Sequence, residues 1–195
     1  MEGLKRYDFL TQIECDTIVN EILSLEDAVK RLGPDTYGEG TSEDSLTGRY
    51  EYFNYLNIPS INTIICPKLK EIFGPCVVQC WANIFRQGEG IDEHRHLIDI
   101  GPELQRNCTI GNIFLYGDPT TGTYYNFPKL GLLHVKYDNK VGELSLFPCT
   151  LVHGVPKNIT GDIRISMAID VHHTRDEVRL NSLVSKMPKR YYYIR

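Results

Sequence analysis

From Pro75 onward the chain consists of short apolar or aromatic runs separated by turn residues, and this texture restricts the fold more than any other feature. The runs are Val77 to Phe85, Thr109 to Tyr116, Thr123 to Phe127, Leu132 to Tyr137, Glu143 to Phe147 and Arg164 to Val171. Gly88-Glu89-Gly90, Gly117-Asp118-Pro119, Asp138-Asn139-Lys140 and Thr160-Gly161-Asp162 lie between them. Many short strands at regular spacing indicate a sandwich, barrel or jelly roll. The first part of the chain reads differently. Ile13, Ile18, Val19, Ile22, Leu25, Val29 and Leu32 recur at helical intervals and predict a helix over Thr11 to Leu32, stopped by Gly33-Pro34. Ile64, Ile65, Leu69 and Phe73 predict a second over Ile61 to Phe73, and Arg175 to Ser185 fits a last short one. Helices first and strands after argue against a doubly wound sheet. At 195 residues the chain has the size of one domain, with a helical support region over 1–75, a β core over 76–172 and a tail over 173–195.

Composition removes several function classes. Hydrophobic residues make up 42% and charged ones 24%, which is ordinary for a globular chain. The net charge of -4, with acids and bases mixed, argues against a nucleic-acid partner held by a broad basic surface. The locally basic stretch Lys186 to Arg195 reads as a solvated end. MEGLKRYDFL has no apolar core of a signal peptide, and no apolar run approaches the ~20 residues of a membrane span. Cys15, Cys66, Cys76, Cys80, Cys108 and Cys149 are scattered without a CxxC pair. They read as reduced thiols in a cytoplasm-like compartment, and the spacing argues against a structural zinc site.

The chemistry concentrates at the histidines. His94 and His96 stand one residue apart just past a strand and a glycine turn, and His153 lies in Leu146-Phe147-Pro148-Cys149-Thr150-Leu151-Val152-His153-Gly154-Val155. On a strand, residues two apart share a face, so His94 and His96 could address one ion and His153 complete a set of three. Surface or hydrogen-bonded histidines explain an HxH pair equally well. Arg164-Ile165-Ser166, eleven positions beyond His153, tips the balance. Arg164 and Ser166 would share a face, and an arginine beside a hydroxyl clamps a carboxylate. An inward arginine in the apolar run Ile163 to Ile169 needs an anionic partner.

These stretches resemble the Fe(II)- and 2-oxoglutarate-dependent oxygenases, closest to a small bacterial and phage group with an HxH metal motif. The resemblance covers Cys80 to Val171. It rests on Trp81 to Gly88 leading into His94, on Gly111 to Tyr116, and most specifically on Leu146-Phe147-Pro148, His153-Gly154-Val155-Pro156 and Arg164-Ile165-Ser166. It implies a mainly β double-stranded β-helix (jelly roll, cupin-like) with N-terminal helices. It also implies Fe(II) on His94 and His153, with 2-oxoglutarate held by Arg164 with the help of Ser166. Most of the superfamily carries a carboxylate where this chain has His96; His96, water, Asp92, Glu93 or Asp99 would fill that place, and His96 is favoured. Phe114 stands where many relatives place a tyrosine that touches 2-oxoglutarate, with Tyr116, Tyr124 and Tyr125 as stand-ins. No catalytic residue beyond the metal centre is implied. The implied reaction is hydroxylation of a small-molecule or peptide substrate with O2, releasing succinate and CO2. A three-histidine cupin-type dioxygenase without keto acid and a non-catalytic jelly-roll binding module are the alternatives.

The other candidates read as structural. His134 alternates with apolar neighbours, His172-His173 reads as a polar strand end, and Trp81 as core. Tyr191-Tyr192-Tyr193 reads as tail packing or a dimer contact, a homodimer through the helices being the other such reading. Tyr50, Tyr52, Phe53 and Tyr55 would pack beneath the barrel or line its mouth. Asp35 to Thr47 reads as a surface linker or a lid, and with Ile98 to Cys108 and Lys129 to Tyr137 would set the substrate.

Overall fold

The computed structural model describes residues 3–33, 46–96, 107–173 and 176–195. In chain order the main elements are strand β1 (Lys5–Asp8), helices α1 (Gln12–Lys30) and α2 (Pro59–Phe73), then strands β2 (Cys76–Phe85), β3 (Ile91–His94), β4 (Cys108–Tyr116), β5 (Thr123–Phe127), β6 (Leu132–Tyr137), β7 (Glu143–Pro148), β8 (His153–Val155) and β9 (Arg164–His172). Helix α3 (Glu177–Lys186) and strand β10 (Tyr192–Ile194) follow. The strands form a six-stranded sheet in the order β1-β7-β4-β9-β2-β10 and a four-stranded sheet in the order β3-β8-β5-β6. All pairings are antiparallel. This is a jelly roll with N-terminal helices.

Local sequence sets the helices. Thr11 caps α1 with a full capping box, its side chain accepting from the Glu14 N–H while Glu14 bonds back to the Thr11 N–H. Cys15, Ile18, Ile22 and Val29 form the buried stripe of α1. Ile13, which shares the apolar periodicity, is 79% exposed, because its side chain lies off that stripe. Pro59 opens α2, and Gly74 ends it with φ of 69°.

The large sheet is covered on both sides, and its central strands show it. Every residue of β2 and β9 is buried. One face of β9, Ile165, Met167, Ile169 and Val171, joins Val78, Cys80, Ala82 and Ile84 of β2 in the core that packs against Ile18, Ile22, Ile61 and Ile65 of the helices. Gly111 of β4 lets this core close, since a Cβ there would lie 2.6 Å from Ile169 Cγ1. The other face of β9 carries Arg164, Ser166, Asp170 and His172 and looks into the space between the sheets. β10 pairs with β2 in the large sheet, and Tyr191 is buried beside it, so the tyrosine tail packs within the chain.

Truncation on the helix-facing side of β9 is the sensitive point. Ile169→Ala should lower the unfolding free energy in urea by roughly 2–5 kcal/mol. Ile13→Ala, on the open face of α1, should change it by less than about 0.5 kcal/mol.

Candidate metal centre

The small sheet brings two of the histidines together. β3 and β8 pair with His94 opposite His153, and directly opposed residues of an antiparallel pair point the same way. Their ring centroids are 4.3 Å apart. His96 arrives by another route. β3 stops at His94, so strand alternation does not present the HxH pair as the spacing suggests. Past the strand end, the His96 N–H donates to the Cys149 carbonyl at 3.0 Å, and the segment after β7 draws it inward. Its ring lies 5.2 Å from both others, and the three residues offer ligand atoms all within 4.8 Å of one another. Among the described residues no other group of three or more potential ligands comes together.

Hydrogen bonding fixes which nitrogen each ring offers. Nδ1 of His94 lies 2.9 Å from the Asp92 carbonyl, and Nδ1 of His153 lies 3.0 Å from the Leu151 carbonyl. Nδ1 of His96 lies 2.8 Å from Asp170 Oδ1. Carbonyl and carboxylate oxygens only accept, so each Nδ1 carries a proton, and Nε2 is the nitrogen that each ring has left to offer a metal. Burial, reinforced by the neighbouring His96 ring, holds the His94 imidazolium below its usual range, and burial holds that of His153 well below. Imidazoles that share a free Nε2 are the donor set that a divalent first-row metal takes. The rings are also wedged. Trp81 stacks on His96 at 5.7 Å, Tyr50 lies against Trp81, and the Phe147 ring meets His153 edge-on at 4.6 Å.

The second half of the site is a buried cation. Arg164 opens β9 opposite Phe85 and is 1% exposed. Its guanidinium sits 5.5 Å from the Phe85 ring and 5.7 Å from that of Phe114. Nη1 donates to Ser166 Oγ at 3.3 Å and Nη2 to Thr123 Oγ1 of the facing sheet at 3.5 Å, while Nε is buried without a partner. Among the described residues no carboxylate pairs with it. Burial lowers its pKa to about 10, so it is charged at neutral pH. A buried cation with an unfilled donor is costly alone and suits an anionic ligand.

The residues expected from sequence separate clearly. His94, His96 and His153 converge, and Ser166 and Phe114 contact the Arg164 side chain. Tyr125 is the tyrosine that faces inward: it is buried, hydrogen-bonds to Ser145 and Thr123, and interacts electrostatically with Arg164. Tyr116 is 47% exposed, and Tyr124 packs on Gly154 and His134. Glu93 bonds Asn126 and His134, away from the cluster, and the Asp92 side chain is exposed; Asp99 lies outside the described residues, as do most of Asp35 to Thr47 and Ile98 to Cys108. His134 is exposed with φ of 53°, pairs with Glu93 and joins no cluster of potential metal ligands. His172 ends β9 as a polar residue and is wholly buried, with both nitrogens unpartnered and its ring edge-on to Tyr191. Asp170 and Thr123 were missed, while Tyr125 was one of three tyrosines that the sequence left open. Asp170 had a signal, since it shares the face of Arg164 and Ser166 by twofold alternation.

No family model and no curated protein matches the sequence. Solved structures do. The non-heme monooxygenase ThoJ in its nickel complex matches at 17% identity over 96% of this chain and 93% of its own, with a TM-score of 0.62. The epimerase SnoN in complex with Fe3+, alpha ketoglutarate and nogalamycin RO matches at 10% identity over 88% and 79%, with a TM-score of 0.65. A prolyl hydroxylase from Trichoplax adhaerens, in complex with a hypoxia inducible factor peptide fragment, matches at 13% over 93% and 87%, with a TM-score of 0.61. At these identities the likeness is one of fold. The chain has the double-stranded β-helix fold of the Fe(II)/2-oxoglutarate oxygenases. No described helix is long and apolar enough to cross a membrane.

Acid should destabilise the protein through its buried histidines. Burial lowers the His172 pKa to about 4, against ~6.5 in the unfolded chain, so the unfolded state takes up protons first as pH falls. The stability is complete above ~6.5 and is lost as pH drops towards 4. At pH 5 this residue alone should cost roughly 2 kcal/mol, read as a falling melting temperature between pH 7 and 5. His172→Phe should flatten that fall.

Proposed function

We propose that this chain is an Fe(II)- and 2-oxoglutarate-dependent oxygenase, with hydroxylation of a small molecule or peptide as its reaction. One observation carries the reading: a buried, incompletely satisfied Arg164 lies in the same jelly-roll interior as three imidazoles holding out their Nε2 lone pairs. His94, His96 and His153 would hold the iron, and Arg164, with Ser166 and Phe114, the far carboxylate of 2-oxoglutarate. When bound, these two supply O2 activation coupled to oxidative decarboxylation of the keto acid to succinate and CO2.

The chain's own residues do the rest. Arg164 neutralises the dianionic cosubstrate at one end and fixes its direction. Phe85 and Phe114 keep water from the guanidinium and so strengthen that pairing. Tyr125 adds a hydroxyl on the same side, which relieves the absence of a tyrosine at Phe114. Burial favours the neutral form of His94 and His153, and the Nδ1 acceptors fix the orientation of all three rings. A three-histidine dioxygenase that uses no keto acid has no need of Arg164. A binding module that has lost its metal has no need of three converging imidazoles. The names of the neighbours include both small-molecule and peptide complexes, which supports either substrate class.

Anaerobic titration of the apoprotein with Fe(II) and then 2-oxoglutarate tests the reading. A visible metal-to-ligand charge-transfer band should appear on adding the keto acid. Arg164→Ala should raise the 2-oxoglutarate concentration needed at least tenfold, as loss of a charge-assisted bidentate contact does. His153→Ala should abolish the band. Iron binding without a band in the wild type would instead favour the keto-acid-independent dioxygenase.

A further inference from the structure

The carboxylate behind His96 is a buried group that the reading above leaves without a role. Asp170 is 4% exposed on the inward face of β9. Among the described residues its one hydrogen bond is to Nδ1 of His96 at 2.8 Å, and no lysine or arginine pairs with it. Gln79, directly opposite on β2, is turned to the Tyr50 carbonyl and to Arg190. Ile110, opposite on β4, has nothing to donate. A carboxylate buried with a single hydrogen-bond donor is costly, and a positive charge close by offsets that cost. Among the described residues a place for one lies across the imidazole, where the ligand atoms of the three histidines converge.

The three rings are not equivalent in this respect. His94 and His153 donate to neutral backbone carbonyls, whereas His96 donates to a charge. Three neutral imidazoles around a dication bring no negative charge of their own. An ionised acceptor on Nδ1 makes Nε2 a stronger donor and locks the tautomer. The ring cannot turn away, because Trp81 stacks on its face and the His96 N–H is tied to the Cys149 carbonyl.

We propose that Asp170 is the anionic member of the metal centre, acting through His96 as a positioning residue that sets its tautomer and raises its donor strength. The inference rests on the reading of His94, His96 and His153 as metal ligands. The Asp170–His96 pair thus supplies the negative charge that a directly bound carboxylate would bring.

Mn(II) binding to the apoprotein, followed by electron paramagnetic resonance, tests it without any turnover. Asp170→Asn keeps the size and an acceptor oxygen but removes the charge. It should weaken Mn(II) binding 10–100-fold, the usual cost of losing such a partner. The apoprotein should melt no lower than the wild type, since a buried charge has been removed. In a His96→Asp background, where a carboxylate would ligate directly, adding Asp170→Asn should cause no further loss. Wild-type affinity in Asp170→Asn, or an equal loss in both backgrounds, overturns the inference alone. A wild type that binds no Mn(II), or a His153→Ala variant that binds as the wild type does, overturns the metal-centre reading and the inference with it. Should Asp170→Asn not fold, long-range 1H–15N histidine spectra of the Zn(II)-loaded wild type decide: a His96 proton on Nδ1 supports the inference, and one on Nε2 overturns it.

Discussion

β9 is hydrogen-bonded along nearly its whole length to β2 on one side and β4 on the other, and both of its faces are buried. Strand geometry sends successive side chains to opposite faces, so this one strand divides the molecule. Ile165, Met167, Ile169 and Val171 bind the helices to the sheet, and Arg164, Ser166, Asp170 and His172 project into the jelly-roll interior. A slip of one residue would exchange the two sets, placing a guanidinium and a carboxylate against the helices and the apolar side chains in the site. The apolar packing of α1 and α2 therefore fixes the register that presents the polar groups. Stability and site geometry are set by the same strand.

The interior is unusual in what it leaves unsatisfied. Arg164 has a donor without a partner, Asp170 a single hydrogen bond, and His172 two orphan nitrogens, all in buried positions. Most buried polar groups in folded proteins are paired, and exceptions concentrate where a ligand, ion or water completes the set. Arg164 and Asp170 have opposite charge but do not pair with each other. Arg164 opens β9 and Asp170 lies six residues further along it, which separates a place for an anion from a place for a cation. The three histidines lie toward the Asp170 end, through the contact with His96. This polarity along one strand is the electrostatic basis of the proposed site.

Much of the fold was legible because it rests on local pattern. The strand over Leu132 to Tyr137 agrees with β6, and the helices over Thr11 to Leu32 and Ile61 to Phe73 agree with α1 and α2 to within two residues at each end. The strands that went unread are β1, β3, β8 and β10, of four, four, three and three residues. Segments so short have no period of their own and become strands only because a longer strand offers them a ladder. The site shows the same division. Arg164 beside Ser166 was readable, since both lie on one strand two residues apart. His96 was rightly grouped with His94 but for an incomplete reason, because a bond to Cys149 across the fold places it. The inward face of Asp170 followed from the same alternation, but its pairing with His96, 74 residues away, did not.

The sequence by itself determined the candidate histidines, the arginine two residues from a serine, the change from helices to strands and the alternation of β9. These depend on residue chemistry and on periods of two or three to four, which a linear chain displays directly. Tertiary structure alone decided that β3 lies opposite β8, that Tyr125 rather than Tyr116 or Tyr124 faces Arg164, and that a carboxylate stands behind His96. Those relations are contacts between strands distant in sequence. Their register comes from the summed packing of two sheets and two helices, and no local stretch of the chain encodes that sum.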